Sequence, residues 1–304
     1  MNEFLAKNEH LLEKPIIVFG TGRSGTTIIS EIIFQHEDLA WHSNYQELFP
    51  KFAGINYLRR AFDNKWWRKI GMNTQNNLSF TNFMLFRPIE RYDFWEAITG
   101  NRIDFSRSFL LNERATPEER EHIRAVFAKL VKYQKRKRLA LKITGPVRME
   151  YLTSIFPDAQ FVSIERDPVS VIRSWLEVSW GQEIAEQLWW HGAYSQEEIA
   201  KAETLKRNKF LFIAFQYKKL KETERKEIKK IQPDIYTVQY EDFILNPTAC
   251  INSILEYVHL SPSKLIDKFM NKLSIAHSNE RKPASTHIEI PETTQKQILE
   301  LINS

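Results

Sequence analysis

Three of the chain's 9 glycines, Gly20, Gly22 and Gly25, fall in the run Gly20-Thr21-Gly22-Arg23-Ser24-Gly25-Thr26-Thr27. An apolar stretch at residues 15–19 leads into this run, and an apolar helical pattern begins near Thr26. That order is what an anion-binding loop requires. Glycines permit a tight backbone path, and the free N–H groups at the start of a helix face the anion with the helix dipole behind them. Against the Walker A pattern G-x-x-x-x-G-K-[ST], Gly20, Gly25 and Thr27 match, but Thr26 stands where the lysine belongs. Without that lysine, a triphosphate loses its charge clamp and its Mg²⁺ geometry. Arg23 supplies a cation at a different place in the loop, which argues against nucleoside triphosphate chemistry.

A second group capable of holding phosphate is Arg166, at the end of a buried apolar run, with Ser174 eight residues later. Asp167 and Pro168 between them read as the N-cap and first position of a helix. Ser174 then lies about 9 Å along that helix from Pro168. An arginine fork and a hydroxyl at this spacing can grip one phosphate from two sides. Taken alone, Arg166-Asp167-Pro168 describes equally well an arginine paired with a helix-start aspartate. Together with the glycine loop, it gives the chain two separate stretches able to hold an anion.

With these residues in place, the chain resembles the sulfotransferases that use 3′-phosphoadenosine 5′-phosphosulfate (PAPS), in particular their bacterial members. Their 5′-phosphosulfate loop reads much like Gly22-Arg23-Ser24-Gly25-Thr26-Thr27. The resemblance implies an α/β fold with a P-loop-like parallel sheet. It also implies PAPS as donor and adenosine 3′,5′-bisphosphate (PAP) as product, with Arg166 and Ser174 on the 3′-phosphate. Tyr240, within Val238-Gln239-Tyr240-Glu241-Asp242-Phe243, corresponds to a tyrosine near the adenine and equally suits a strand-closing core position. Arg281 and Lys282 correspond to a basic C-terminal loop, with Pro283 where the family has glycine.

Sulfuryl transfer needs in-line positioning and charge stabilisation, and no metal where cations are already placed. Arg23 suits the departing 5′-phosphate oxygen. Lys142, in Leu141-Lys142-Ile143-Thr144-Gly145-Pro146, resembles the family's strand-end lysine that faces the reacting group. Cytosolic members carry a histidine two residues later, where this chain has Thr144, so the base must lie elsewhere. Other branches use a glutamate shortly after the first helix. The matching stretch here holds Glu47 as the first candidate, His42 as the second and Asn44 as a positioning group. The remaining histidines are not spaced as metal ligands, and no metal site is expected. His36 reads as the end of the first helix, where a positive charge suits the dipole, and His287 has no evident partner.

These residues need a scaffold. Short apolar runs at 16–19, 139–142, 161–164 and 235–239 read as strands, and 26–35, 147–156, 169–178 and 247–258 read as helices following them. The alternation predicts a parallel sheet covered by helices. Residues 52–137 are rich in aromatics, including Trp66, Trp67, Phe80, Phe83, Phe86, Phe94 and Trp95, and read as a helical insertion. Residues 183–230 read as a second helical block, with Ser195 and Glu198 as a capping box. One domain spanning 1–304 is the simplest organisation. The two blocks are expected to shape the acceptor pocket, whose tryptophans suit a carbohydrate, lipid or small-molecule acceptor.

Composition agrees with a globular chain: 42% hydrophobic, 27% charged and a net charge of +5. The basic stretches at 129–138 and 201–230 suit solvated helix faces or steering of an anionic ligand, and nucleic acid is not needed to explain them. No apolar run reaches the roughly 18–20 residues that span a bilayer. A lone Cys250 excludes an internal disulfide, and a reducing cytoplasm is expected. Two rivals stand beside the sulfotransferase reading. A P-loop kinase would need its lysine, and a non-catalytic PAP-binding protein would keep both phosphate anchors without a base.

Overall fold

The computed structural model describes residues 2–63, 86–279 and 288–304. Its centre is a five-stranded sheet in the order β2-β3-β1-β4-β5. The strands are β1 (Ile16–Gly20), β2 (Leu39–Trp41), β3 (Arg138–Thr144), β4 (Gln160–Glu165) and β5 (Asp234–Gln239), and every pairing is parallel. Along β1, every residue is buried, as expected of a strand with helices on both faces. Ile17 and Phe19 pack to one side with Leu139, Leu141, Phe127 and Tyr151. Ile16 and Val18 pack to the other with Ile29, Ile33, Val162 and Leu255. The alternation is the two-residue period of a strand read on both faces.

Helices follow the strands as expected, with boundaries differing by one or two residues: Thr26–Ile33, Met149–Ile155, Pro168–Leu176 and Pro247–Tyr257. Two of the starts are capped by a side chain, one of them the predicted Asp167. Asp167 accepts from the Ser170 N–H at 2.7 Å and Asn246 from that of Ala249 at 3.2 Å. Both halves of the Ser195–Glu198 capping box are formed, opening the helix Gln196–Leu205. The second block continues into the long helix Lys209–Ile231, against which the C-terminal helix Glu292–Asn303 packs. The described part of residues 52–137 contains the helices Asp93–Ile98 and Pro117–Tyr133, and Phe94 and Trp95 are buried in the core. Trp66, Trp67, Phe80 and Phe83 lie outside the described residues. No described helix is long and apolar enough to cross a membrane.

Two features depart from expectation. The first is β2, a strand of three residues without a β-branched side chain, which hydrophobic periodicity does not reveal. Its outer edge is closed by side chains. The Gln134 amide donates to the Trp41 carbonyl at 2.8 Å and accepts from the Trp41 N–H at 3.3 Å, while Arg59 donates to the Leu39 carbonyl at 2.8 Å. A side-chain amide thereby stands where a sixth strand would pair. The second is His36, which does not end the helix that follows β1. That helix stops at Ile33, and His36 is fully buried beyond it. Its Nδ1 accepts from the Asp38 N–H at 3.1 Å and its Nε2 lies 3.0 Å from the Ser261 carbonyl. One nitrogen accepting and the other donating is the pattern of a neutral ring tying two loops, not of a cation on a dipole.

Because β2 leads directly into His42, its edge matters to the site. Gln134→Met removes both partners of the Trp41 peptide and should destabilise the chain by about 2–4 kcal/mol, read as a lower urea midpoint.

Candidate active site

The loop after β1 is shaped by close approach. A side chain on Gly20 would bring its Cβ within 2.5 Å of the Ile164 carbonyl on the neighbouring strand. Gly25 has φ of 95°, and a Cβ there would meet the Tyr240 ring at 2.1 Å. Arg23 also takes the left-handed region, with φ of 69°, which turns the chain back toward the helix. Gly25 is the N-cap of the helix Thr26–Ile33 and offers no side-chain cap, so the first N–H groups of the helix face the loop. Inside the loop, the Ser24 hydroxyl is buried without a hydrogen-bond partner among the described residues. A cradle of backbone donors around an unpaired buried hydroxyl suits an anionic, phosphate-like group.

The second anchor adjoins the first. Arg166 follows β4 and donates to the Arg23 carbonyl at 2.9 Å. Its guanidinium also sits 4.9 Å from the Tyr240 ring centroid. Ser174 accepts from Arg23 Nε at 3.0 Å, and Trp175, the next residue, donates its indole N–H to the Gly22 carbonyl at 2.6 Å. Tyr240 begins a helix directly after β5 and leans on Gly25. Arg23, expected at the departing phosphate oxygen, is thus turned toward Ser174. Tyr240, expected near adenine, braces the loop and Arg166. Trp175 was not signalled by any motif; its one sequence cue is adjacency to Ser174.

Lys142 lies within β3, two residues before its end, and its side chain is largely buried. Its Nζ donates to Thr27 Oγ1 at 3.1 Å, so β3 reaches the last residue of the loop run. At 2.9 Å on its other side is Glu90, a residue that sequence reasoning missed. Glu90 also accepts from the Tyr92 hydroxyl at 2.8 Å and from the Thr144 hydroxyl. Burial alone would raise the Glu90 carboxyl. The Lys142 charge and hydrogen bonds from Lys142, Thr144 and Tyr92 outweigh it and hold the group below the usual carboxylate range. Burial and the neighbouring Glu90 charge push the Tyr92 phenol well up.

His42 and Glu47 come together, with 3.0 Å between Nε2 and Oε2 and side chains only 8% and 3% exposed. The contact is off the line of a good hydrogen bond, and neither Glu47 oxygen has another partner among the described residues. Glu47 belongs to the short helix Asn44–Leu48, whose cap is Ser43. The His42 ring stacks on Phe94 at 4.5 Å. Residues 87–89 run alongside: the Asn44 N–H donates to the Arg87 carbonyl at 3.1 Å, and the Ile89 N–H donates to the His42 carbonyl at 3.2 Å. Asn44 Oδ1 accepts from the Arg87 N–H at 3.1 Å, which makes it a brace for this segment. A small cavity is lined by His42, Glu90, Arg91, Trp95 and Lys142, among others. It brings His42 and Lys142 to one wall, with Glu90 between their segments. Arg281, Lys282 and His287 lie outside the described residues.

A parallel sheet whose first strand passes through a glycine loop into a helix, with cations from the neighbouring strands at the same edge, defines a P-loop-like α/β protein. The sulfotransferase family matches residues 15–263, and the chain belongs to that family. Its activity class is therefore sulfuryl transfer. Among solved structures, the sulfotransferase STF9 from Mycobacterium avium is similar with a TM-score of 0.59 at 17% identity, covering 99% of this chain and 80% of that one. The sulfotransferase STF1 from Mycobacterium tuberculosis H37Rv gives 0.55 at 17% identity, covering 97% and 77%. Both likenesses show the fold. No curated protein matches the sequence significantly.

Two outcomes follow from this geometry. Gly25→Ala places a methyl group in the Tyr240 ring and strains the loop at positive φ. The chain should lose about 1–3 kcal/mol of stability, measured by urea unfolding. For Glu90, a depressed folded value means that its contact stabilises the protein above the ordinary carboxylate range and is lost as pH falls through the lowered value. The stability difference between wild type and Glu90→Gln should therefore shrink in acid, read by urea unfolding at each pH.

Proposed function

We propose that the chain moves the sulfuryl group of PAPS to a hydroxyl or amine acceptor by in-line displacement. One observation carries the reading: the glycine loop and the Arg166–Ser174 anchor meet through Arg23. Two anion sites thereby share one continuous surface, as a donor with both a 5′-phosphosulfate and a 3′-phosphate requires. Backbone N–H groups from Gly22 to Thr27, other than that of Ser24, which donates to the Thr21 carbonyl, hold the phosphosulfate with the Ser24, Thr26 and Thr27 hydroxyls. Arg166 and Ser174 hold the 3′-phosphate, and the Tyr240 edge borders the base. The absence of the Walker lysine and the presence of a second anchor weigh against a kinase.

The acceptor oxygen or nitrogen bonds to sulfur as the bond from sulfur to the 5′-phosphate oxygen breaks. Its proton passes to the His42–Glu47 pair, and PAP departs. Lys142, tied to Thr27, stabilises charge growing on the departing oxygen. Arg23 joins it by turning from Ser174 toward the loop. Leu48, Phe49 and Phe52, exposed just beyond Glu47, favour an acceptor with an apolar body, such as a lipid or aromatic compound.

Thermal stabilisation by PAP and by ADP should differ clearly, since a ligand at 100 times its dissociation constant adds about 2.7 kcal/mol. Equal stabilisation by ADP would remove the 3′-phosphate role of Arg166 and Ser174. Transfer from labelled PAPS to a panel of lipid, phenolic and sugar acceptors then tests catalysis. Stabilisation by PAP without any transfer would favour a non-catalytic binding protein. Glu47→Gln should lower turnover by about a hundredfold or more while PAP affinity is kept. Retained turnover would take Glu47 out of the mechanism.

A further inference from the structure

We propose that Glu90 is a positioning residue that holds Lys142 at the reacting end of the donor, an inference that rests on the sulfuryl-transfer reading above. Lysine is a flexible point charge whose ammonium carries three donors. Among the described residues, Lys142 Nζ has two partners: Thr27 Oγ1 at 3.1 Å and Glu90 Oε2 at 2.9 Å. The two contacts fix the head group between the loop and the carboxylate and leave one N–H for a donor oxygen. The same residue supplies both the constraint and a counter-charge for a largely buried cation.

Glu90 is itself immobilised. Its Oε1 accepts from the Tyr92 and Thr144 hydroxyls, and the Tyr92 oxygen accepts from the Thr144 N–H at 2.9 Å. The carboxylate is therefore locked to the last residue of β3, the strand that carries Lys142. With Oε1 taken by two hydroxyls and Oε2 on Lys142, three of the carboxylate's roughly four lone-pair sites are occupied, and the group is committed to holding the cation rather than to removing a proton. The backbone beside it is pinned as well, because Ile89 donates to the His42 carbonyl at 3.2 Å. One segment thus sets the register of both the proton-accepting pair and the cation. Glu90 lies in the run Arg87-Pro88-Ile89-Glu90-Arg91, which carries no motif tying it to the loop.

The test is a double-mutant cycle in PAPS turnover. Glu90→Gln should lower kcat by about tenfold or more, with KM for PAPS within about threefold, because the loss is of alignment in the transition state. Lys142→Met should lower kcat further, and Glu90→Gln added to Lys142→Met should cost nothing more. Tyr92→Phe, which keeps the carboxylate, should give a smaller loss that also vanishes in the Lys142→Met background. Independent, multiplying losses would overturn the proposal and make Glu90 a base or a packing residue. Unchanged kcat in Glu90→Gln would overturn it as well. If Glu90→Gln does not fold, the cycle of Tyr92→Phe with Lys142→Met decides in the same way. PAP affinity and wild-type transfer are measured alongside. A wild type that neither binds PAP nor transfers sulfate refutes the underlying reading, whereas an active wild type with an additive cycle refutes only the role of Glu90.

Discussion

Everything at the candidate site depends on three parallel strands finishing level with one another. Gly20 stands in register with Thr144 on β3 and Ile164 on β4. Parallel strands send their carboxyl ends to the same edge, so the loop after β1, the lysine of β3 and the arginine after β4 emerge as neighbours. The alignment leaves almost no room at its centre. Gly20 is pressed against the Ile164 carbonyl, and its own carbonyl accepts from the Gly145 N–H at 3.2 Å. A bulkier residue there would lift the loop away from both neighbours.

The edge gathers three cations, and each is held by a different device. Arg23 rests on the Ser174 hydroxyl, Arg166 on a backbone carbonyl and the Tyr240 ring, and Lys142 on Glu90 and Thr27. Only Lys142 faces a full negative charge among these partners. The two arginines retain most of their electrostatic reach toward an anion, whereas the lysine is directed at one spot. This division suits an anion that is drawn in broadly and fixed at one point.

Much of this was legible in the residue order. The apolar runs of β1, β3, β4 and β5 stand out because central parallel strands are apolar on both faces, and the helix starts carry Asp167-Pro168 and Asn246-Pro247. The loop declared itself through clustered glycines. What stayed hidden shares one property: its partners are remote in sequence. β2 is three residues long and completed by Gln134 and Arg59. Glu90 acquires meaning only beside Lys142, and Trp175 only through the Gly22 carbonyl. His36 misled because a histidine three residues past a helix resembles a cap until the Ser261 carbonyl is seen beside it.

The interlocking of Gly25, Tyr240, Arg166, Arg23 and Ser174 also bears on how such a chain can diverge. Tyr240 fits because Gly25 lacks a side chain, Arg166 lies over Tyr240 and grips the Arg23 backbone, and Arg23 reaches Ser174. These residues come from three distant stretches of the chain, yet no one of them can change without altering the surroundings of the next. A substitution at any one of them therefore changes what the others tolerate, which couples the mutational paths of three separate stretches of the chain.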